Sequence, residues 1–153
     1  MNPDPIDMGA ALDRLPHGAE FRFVDRLVSL SPGCEGAGEY RVRGDEPFLR
    51  GHFPEEPMMP GVLLIEAAAQ LAGVVAQCDS AIPPLAGLKL TALRTVKITG
   101  TARPGETIQL TARITGRLAG LIQADTEASV DGRVVLTASL VLSGNPTPTL
   151  NPG

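Results

Sequence analysis

The sequence predicts an α+β fold in which an antiparallel sheet wraps around one long central helix. Three observations predict it. Residues 60–78 are apolar on every face, so a helix there must be buried on every side. From Ala86 onward strand signals dominate, and Asp131-Gly132 between two alternating runs is a strong two-residue hairpin signal. Two further strand-like runs precede the helix. A sheet curled around that helix is the simplest layered arrangement.

The elements follow in chain order. Ile6 to Leu15 carries Ile6, Met8, Ala11, Leu12 and Leu15 near helical spacing, and Pro16 ends it. Phe21 to Leu30 alternates as a strand and turns at Ser31-Pro32-Gly33, and Glu39 to Arg43 follows as a second strand. Residues 44–60 hold Gly44, Pro47, Gly51, Pro54, Pro57 and Pro60, which rules out regular structure. Phe48, Leu49, Phe53, Met58 and Met59 indicate that this loop packs down. Pro60 opens the central helix at a favourable place. Leu88–Ile98, Thr107–Thr115, Leu121–Val130 and Arg133–Leu142 read as the remaining strands, with turns at Arg103-Pro104-Gly105-Glu106 and Ala119-Gly120. Residues 1–143 are expected to form one domain, and 144–153, rich in proline, threonine and asparagine, a disordered tail.

Composition narrows the function. The 153 residues carry a net charge of -4, so no general attraction to nucleic acid or to an anionic membrane is expected. Aromatics make up 3% and none follows Phe53, which argues against a base-stacking platform. Cys34 and Cys78 are far apart and lack a CxxC partner, so neither a zinc site nor a disulfide framework is indicated. Residues 1–7 have no basic stretch followed by an apolar one, and the run 61–76 is interrupted by Glu66 and Gln70. A cytoplasmic location is the expectation.

The run Gly51-His52-Phe53-Pro54-Glu55-Glu56-Pro57-Met58-Met59-Pro60-Gly61-Val62 sets a histidine on a loop, and Leu63 to Gln70 then places a carboxylate, Glu66, in the apolar helix. Burying a lone ionised carboxylate is costly, so its presence there points to chemistry. Histidine has the intrinsic pKa of a base near neutral pH. A carboxyl in an apolar pocket can retain a proton and act as an acid. The helix N-terminus at Gly61 and Val62 exposes backbone N–H groups that can polarise a carbonyl. Gln70, one turn beyond Glu66, either orients that carboxyl or is satisfied at an interface. His17 is expected to be structural and Cys78 inert packing.

Residues 51–70 match G-H-F-P-x-x-P-x-M-P-G-V-L-x-I-E-A-x-A-Q throughout, and Leu15-Pro16-His17 with Val24-Asp25-Arg26 adds a second block. In these motifs the chain resembles the FabZ family of hotdog-fold 3-hydroxyacyl-[acyl-carrier-protein] dehydratases. The resemblance covers roughly residues 12–142. It implies a hotdog fold, His52 and Glu66 as the catalytic pair, and a homodimer in which the two come from different subunits. Such dimers can assemble further into a trimer of dimers. The implied reaction converts (3R)-3-hydroxyacyl to trans-2-enoyl thioesters of acyl carrier protein, in fatty acid or related lipid biosynthesis. It implies no cofactor and no metal, because this elimination needs neither. The related FabA dehydratase-isomerases carry Asp at position 66 and Cys at 62, and this chain follows the FabZ pattern at both.

The segment Lys97 to Glu106 keeps the family's turn but lacks its aromatic and part of its positive charge. Lys89, Arg94, Lys97 and Arg103 therefore form either a basic patch for an acidic carrier protein or an ordinary solvated sheet edge. Two other functions stand beside the dehydratase. One is a hotdog enzyme on another thioester, as a thioesterase or specialised-pathway dehydratase. The other is a non-catalytic acyl-binding subunit, against which the retention of both His52 and Glu66 speaks.

Overall fold

The computed structural model describes residues 6–147. In chain order it contains α1 (Met8–Leu12), a 3-10 turn (Ala19–Phe21), β1 (Arg26–Ser31), β2 (Glu35–Arg41), a second 3-10 turn (Pro47–Arg50), α2 (Gly61–Gln77), β3 (Leu85–Ile98), β4 (Thr107–Leu118), β5 (Leu121–Val130) and β6 (Arg133–Pro146). The strands form one sheet in the order β1-β2-β4-β5-β6-β3, antiparallel throughout. This is the antiparallel sheet around a long helix that the sequence predicts.

The sheet's inner face follows from alternation. In β4, Ile108, Leu110 and Ala112 point inward, and in β5 Ile122, Ala124, Thr126, Ala128 and Val130 do so. The one hydroxyl in this row, on Thr126, donates to the Ala138 carbonyl at 2.9 Å, so it is buried without loss. Asp131 and Gly132 both have positive φ, 51° and 76°, as the β5–β6 hairpin turn requires. Helix α2 lies across this face with every residue from Ala67 to Ala76 buried. It approaches β2 closely because that strand carries glycine: a Cβ at Gly36 would stand 2.8 Å from Val75 Cγ2.

The carboxyl end of α2 is closed by three donors. The Val75 carbonyl accepts from Gly33 N at 2.9 Å, Ala76 from Arg117 Nη1 at 2.9 Å, and Gln77 from Arg14 Nη1 at 3.0 Å. Two guanidinium groups at the negative end of the helix dipole hold the buried helix in register with β4 and α1. No described helix is long and apolar enough to cross a membrane.

Several boundaries differ from expectation. The strand read over Phe21–Leu30 begins only at Arg26. Upstream of it, the Phe21 carbonyl and Phe23 N–H bond to the side chain of Gln70 rather than to a neighbouring strand. The second strand starts at Glu35, earlier than the predicted Glu39. Helix α1 is shorter than the predicted run, opening at an Asp7 cap that accepts from Ala10 N at 2.9 Å.

The last strand continues through Pro146, into the segment read as a tail. Gly144 N donates to the Gly120 carbonyl at 2.9 Å, and Thr147 Oγ1 to the Pro84 carbonyl at 2.9 Å. Residues 148–153, the rest of the expected tail, lie outside the described residues.

The closeness of the Gly120 and Gly144 backbones makes a test. A Cβ at Gly120 would run into the Gly144 carbonyl oxygen, which is backbone and cannot rotate away. Gly120→Ala should cost about 1–3 kcal/mol of stability, as overpacking does. Urea denaturation measures it, and an unchanged midpoint would contradict this packing.

Candidate active site

Glu66 sits on the second turn of α2 with its side chain 23% exposed. Its Oε1 accepts from Gln70 Nε2 at 3.1 Å and lies 3.3 Å from His17 Nε2. Gln70 is 2% exposed, and its amide is used at both ends. Its Oε1 accepts from Phe23 N at 2.8 Å, and its Nε2 also donates to the Phe21 carbonyl at 2.8 Å. One side chain thus fixes the acid and ties down the segment that carries His17 toward it. Oε2 of Glu66 has no hydrogen bond among the described residues and is free for a ligand.

Glu66, His17 and Gln70 line a cavity of about 710 Å³ that continues along α2 to Gln77, walled by Leu88 and Leu90 of β3 and Leu142 of β6. That volume lies in the range of small-molecule sites. Lys89 also reaches its lining. His52 is not among the residues that form this cavity within one chain.

His52 is half-buried on the loop before α2, and its Nδ1 lies 3.1 Å from the Met58 carbonyl. A carbonyl can only accept, so Nδ1 carries the hydrogen, and in the neutral ring Nε2 is then the nitrogen with the lone pair. The loop is held by pairs within itself and by the sheet. Met58 N donates to the His52 carbonyl at 2.9 Å, and Met59, fully buried, donates through its N–H to the Ala102 carbonyl at 2.8 Å. Arg103 Nη2 donates to Glu56 Oε1 at 2.7 Å, so this guanidinium braces the His52 loop. Arg94 and Lys97 lie exposed on β3, without an ion pair among the described residues.

Helix α2 begins after Pro60 with no side-chain cap, and the N–H groups of Gly61 and Val62 have no acceptor among the described residues. A Cβ at Gly61 would stand 2.9 Å from Ile98 Cδ1, so the glycine also lets β3 approach the helix start.

Two features were missed by sequence reasoning. His17, read as structural, lies against the carboxylate, 49 residues away along the chain; no spacing rule links the two. Four of the five aromatics, sparse in composition, cluster around Phe23 on the segment that Gln70 holds. Phe23 packs edge-on against Phe21 (5.0 Å), Tyr40 (5.7 Å) and Phe48 (6.1 Å), and Phe53 stacks on His52 at 4.1 Å.

Residues 15–139 match the family described as FabA-like domain. The chain belongs to this family. Relatives at similar distance include proteins named 3-hydroxyacyl-[acyl-carrier-protein] dehydratase FabZ. That of Thermoanaerobacter sp. (strain X514) is 36% identical over 83% of this chain and 89% of its own length. That of Desulfotalea psychrophila is 35% identical over 94% and 96%. Among solved structures, the dehydratase heterocomplex ApeI:P from Xenorhabdus doucetiae superposes with a TM-score of 0.75 at 23% identity, covering 90% of this chain and 92% of that one. Zebra fish thioesterase superfamily member 2 gives 0.65 at 15%, covering 88% and 91%. These two likenesses show the fold.

The loop leading to His52 rests on Glu46. Burial alone would raise its carboxyl, but the backbone N–H groups of Arg43 (2.7 Å) and Gly44 (2.9 Å) and the Tyr40 hydroxyl (3.1 Å) outweigh this and hold it below the usual range. Burial, then the Glu46 charge, pushes the Tyr40 hydroxyl up. A depressed folded value means that Glu46 stabilises above the ordinary carboxylate range and that this stability is lost as pH falls through the folded value. Glu46→Gln should therefore cost about 1–3 kcal/mol at pH 7. Its gap from wild type should shrink below about pH 4. Chemical denaturation at both pH values checks this; a gap that persists in acid would contradict it.

Proposed function

We propose that this protein removes water from (3R)-3-hydroxyacyl thioesters of acyl carrier protein, giving trans-2-enoyl thioesters for fatty acid synthesis. The observation that carries this reading is Glu66, a carboxyl held on one oxygen by Gln70 and His17 at the side of a largely apolar cavity. Relatives at 35–36% identity bearing the dehydratase name support it.

The chemistry follows from the groups present. His52 Nε2, whose lone pair is free, takes the proton from C2. The electron pair moves toward the thioester oxygen, where the N–H groups of Gly61 and Val62 and the helix dipole stabilise the developing enolate. The pair then forms the C2–C3 double bond as the C3–O bond breaks. Glu66 delivers the proton that turns the leaving hydroxyl into water. His52 is left with the substrate's proton and Glu66 without its own, and one proton passed between them resets the site.

His52 is absent from the cavity lining of its own chain, so the reading pairs it with Glu66 of a second copy. Strand β3 supports such a dimer. It is a 14-residue sheet edge with exposed Leu93 and Ile98, and Val62 beside it is 69% exposed. A long apolar edge left open is an aggregation hazard, and pairing with a second β3 removes it. Arg94 and Lys97 lie on this strand, where they are available to an acidic carrier protein. A cytoplasmic location goes with such a carrier.

Hydration of enoyl carrier-protein thioesters, the reverse reaction, gives the test. His52→Ala and Glu66→Gln should each lower kcat by about 10²–10⁴-fold, the usual worth of a general acid or base. Wild-type release of free thiol without hydration would overturn the reading in favour of a thioesterase.

The cross-subunit arrangement has its own test. In mixed dimers made by co-expressing His52→Ala with Glu66→Gln, one of the two sites regains both wild-type groups only if the pair meets across the interface. Activity should return in the mixture while each parent stays inactive; an inactive mixture of confirmed heterodimers would place the pair within one chain.

A further inference from the structure

The cavity beside Glu66 follows one face of α2, on which Glu66, Gln70, Gly73 and Gln77 succeed one another. Gly73 is buried in the middle of this helix, where glycine is less favourable than alanine because it loses more backbone freedom. At other close contacts of α2, packing excludes a Cβ. One at Gly61 would stand 2.9 Å from Ile98, and one on β2 at Gly36 would stand 2.8 Å from Val75. Gly73 is different. A Cβ there would lie 3.6 Å from Leu88 Cδ2 and 3.8 Å from Leu142 Cδ1, which is ordinary van der Waals contact. The protein's own packing therefore has room for alanine, and the space a methyl would fill belongs to the cavity.

We propose that Gly73 determines acyl chain length, keeping open the part of the cavity that takes the distal methylenes of a long, unbranched acyl chain. The proposal rests on the reading of Glu66 as the acid at C3. Gly73 lies seven residues further on, about 10 Å along the helix axis. A crotonyl chain ends next to the reacting carbons and does not reach it. A dodecenoyl chain extends past it, over the cavity surface that Gly73 shares with its neighbours Leu88 and Leu142. That surface is apolar at Leu88, Leu90 and Leu142, which suits methylenes. The far end is polar. Gln77 bonds Leu85 N at 2.9 Å and the Leu85 carbonyl at 2.8 Å, and Arg14 bonds the Gln77 carbonyl, so a fixed polar group closes the channel one helix turn beyond Gly73.

The experiment measures hydration of crotonyl and dodecenoyl carrier-protein thioesters by wild type, Gly73→Ala and Gly73→Val, with melting temperatures alongside. Gly73→Ala should melt no lower than wild type and keep kcat/KM for crotonyl within about 2-fold. It should lose about 10-fold or more in kcat/KM for dodecenoyl, the worth of about one methylene misfit, mainly through KM. Gly73→Val should lose more on the long substrate. Leu88→Phe, narrowing the same part of the cavity from β3, should give the same selectivity. Equal losses on both substrates, or an unaffected dodecenoyl rate in a folded Gly73→Ala or Leu88→Phe protein, would overturn the role of Gly73 alone. A wild type that hydrates neither thioester would overturn the dehydratase reading and this proposal with it.

Discussion

The amide of Gln70 is the contact on which the site depends. It sits among apolar side chains, where each unpaired polar atom costs about 1–3 kcal/mol. Its oxygen takes the Phe23 N–H and its nitrogen gives to the Phe21 carbonyl and to Glu66. The stretch from His17 to Phe23 therefore cannot leave the helix without stranding several buried groups at once. Because that stretch brings His17 to Glu66 and Phe23 into the aromatic cluster, one hydrogen-bonded side chain sets both the acid's orientation and the packing under the His52 loop. Within the chain Gln70 bonds Glu66 and uses both ends of its amide.

The ends of α2 are treated unequally, and the inequality matches the role proposed for the amino end. At the carboxyl end Gly33, Arg14 and Arg117 satisfy three successive carbonyls. At the amino end Pro60 offers no side-chain cap, and two N–H groups stay open. Leaving donors unpaired costs stability, and a helix buried along its length and closed at one end tolerates that cost at the other. The closed end also holds the helix against the sheet, so the open donors keep a fixed place.

The sequence made the local elements legible because their signals are local. The apolar run 61–76, the alternation of Ile108, Leu110 and Ala112, and Asp131-Gly132 each report on their own neighbourhood. So did the His52 to Gln70 block, since loop and helix are contiguous. What stayed hidden depends on side chains distant in the chain. Phe21 and Phe23 look like strand residues until Gln70 is seen to take their backbone bonds. Arg103 reads as a free cation until Glu56 is seen across from it. Pro146 reads as tail, yet Gly144 can join β6 because neither it nor Gly120 carries a Cβ.

The two histidines show why residue type alone could not assign roles. His52 faces an acceptor, the Met58 carbonyl, through Nδ1, which commits that nitrogen to N–H and leaves Nε2 as a base. His17 faces the Glu66 oxygen through Nε2, and that oxygen already accepts from Gln70. His17 Nδ1 is buried and has no partner among the described residues. The two rings thus meet different groups, a backbone carbonyl in one case and a carboxyl in the other. In the proposed reaction the first ring removes a proton from the substrate, and the second stands beside the carboxyl that gives one up. Both surroundings come from neighbours that the fold supplies, which no sequence spacing shows.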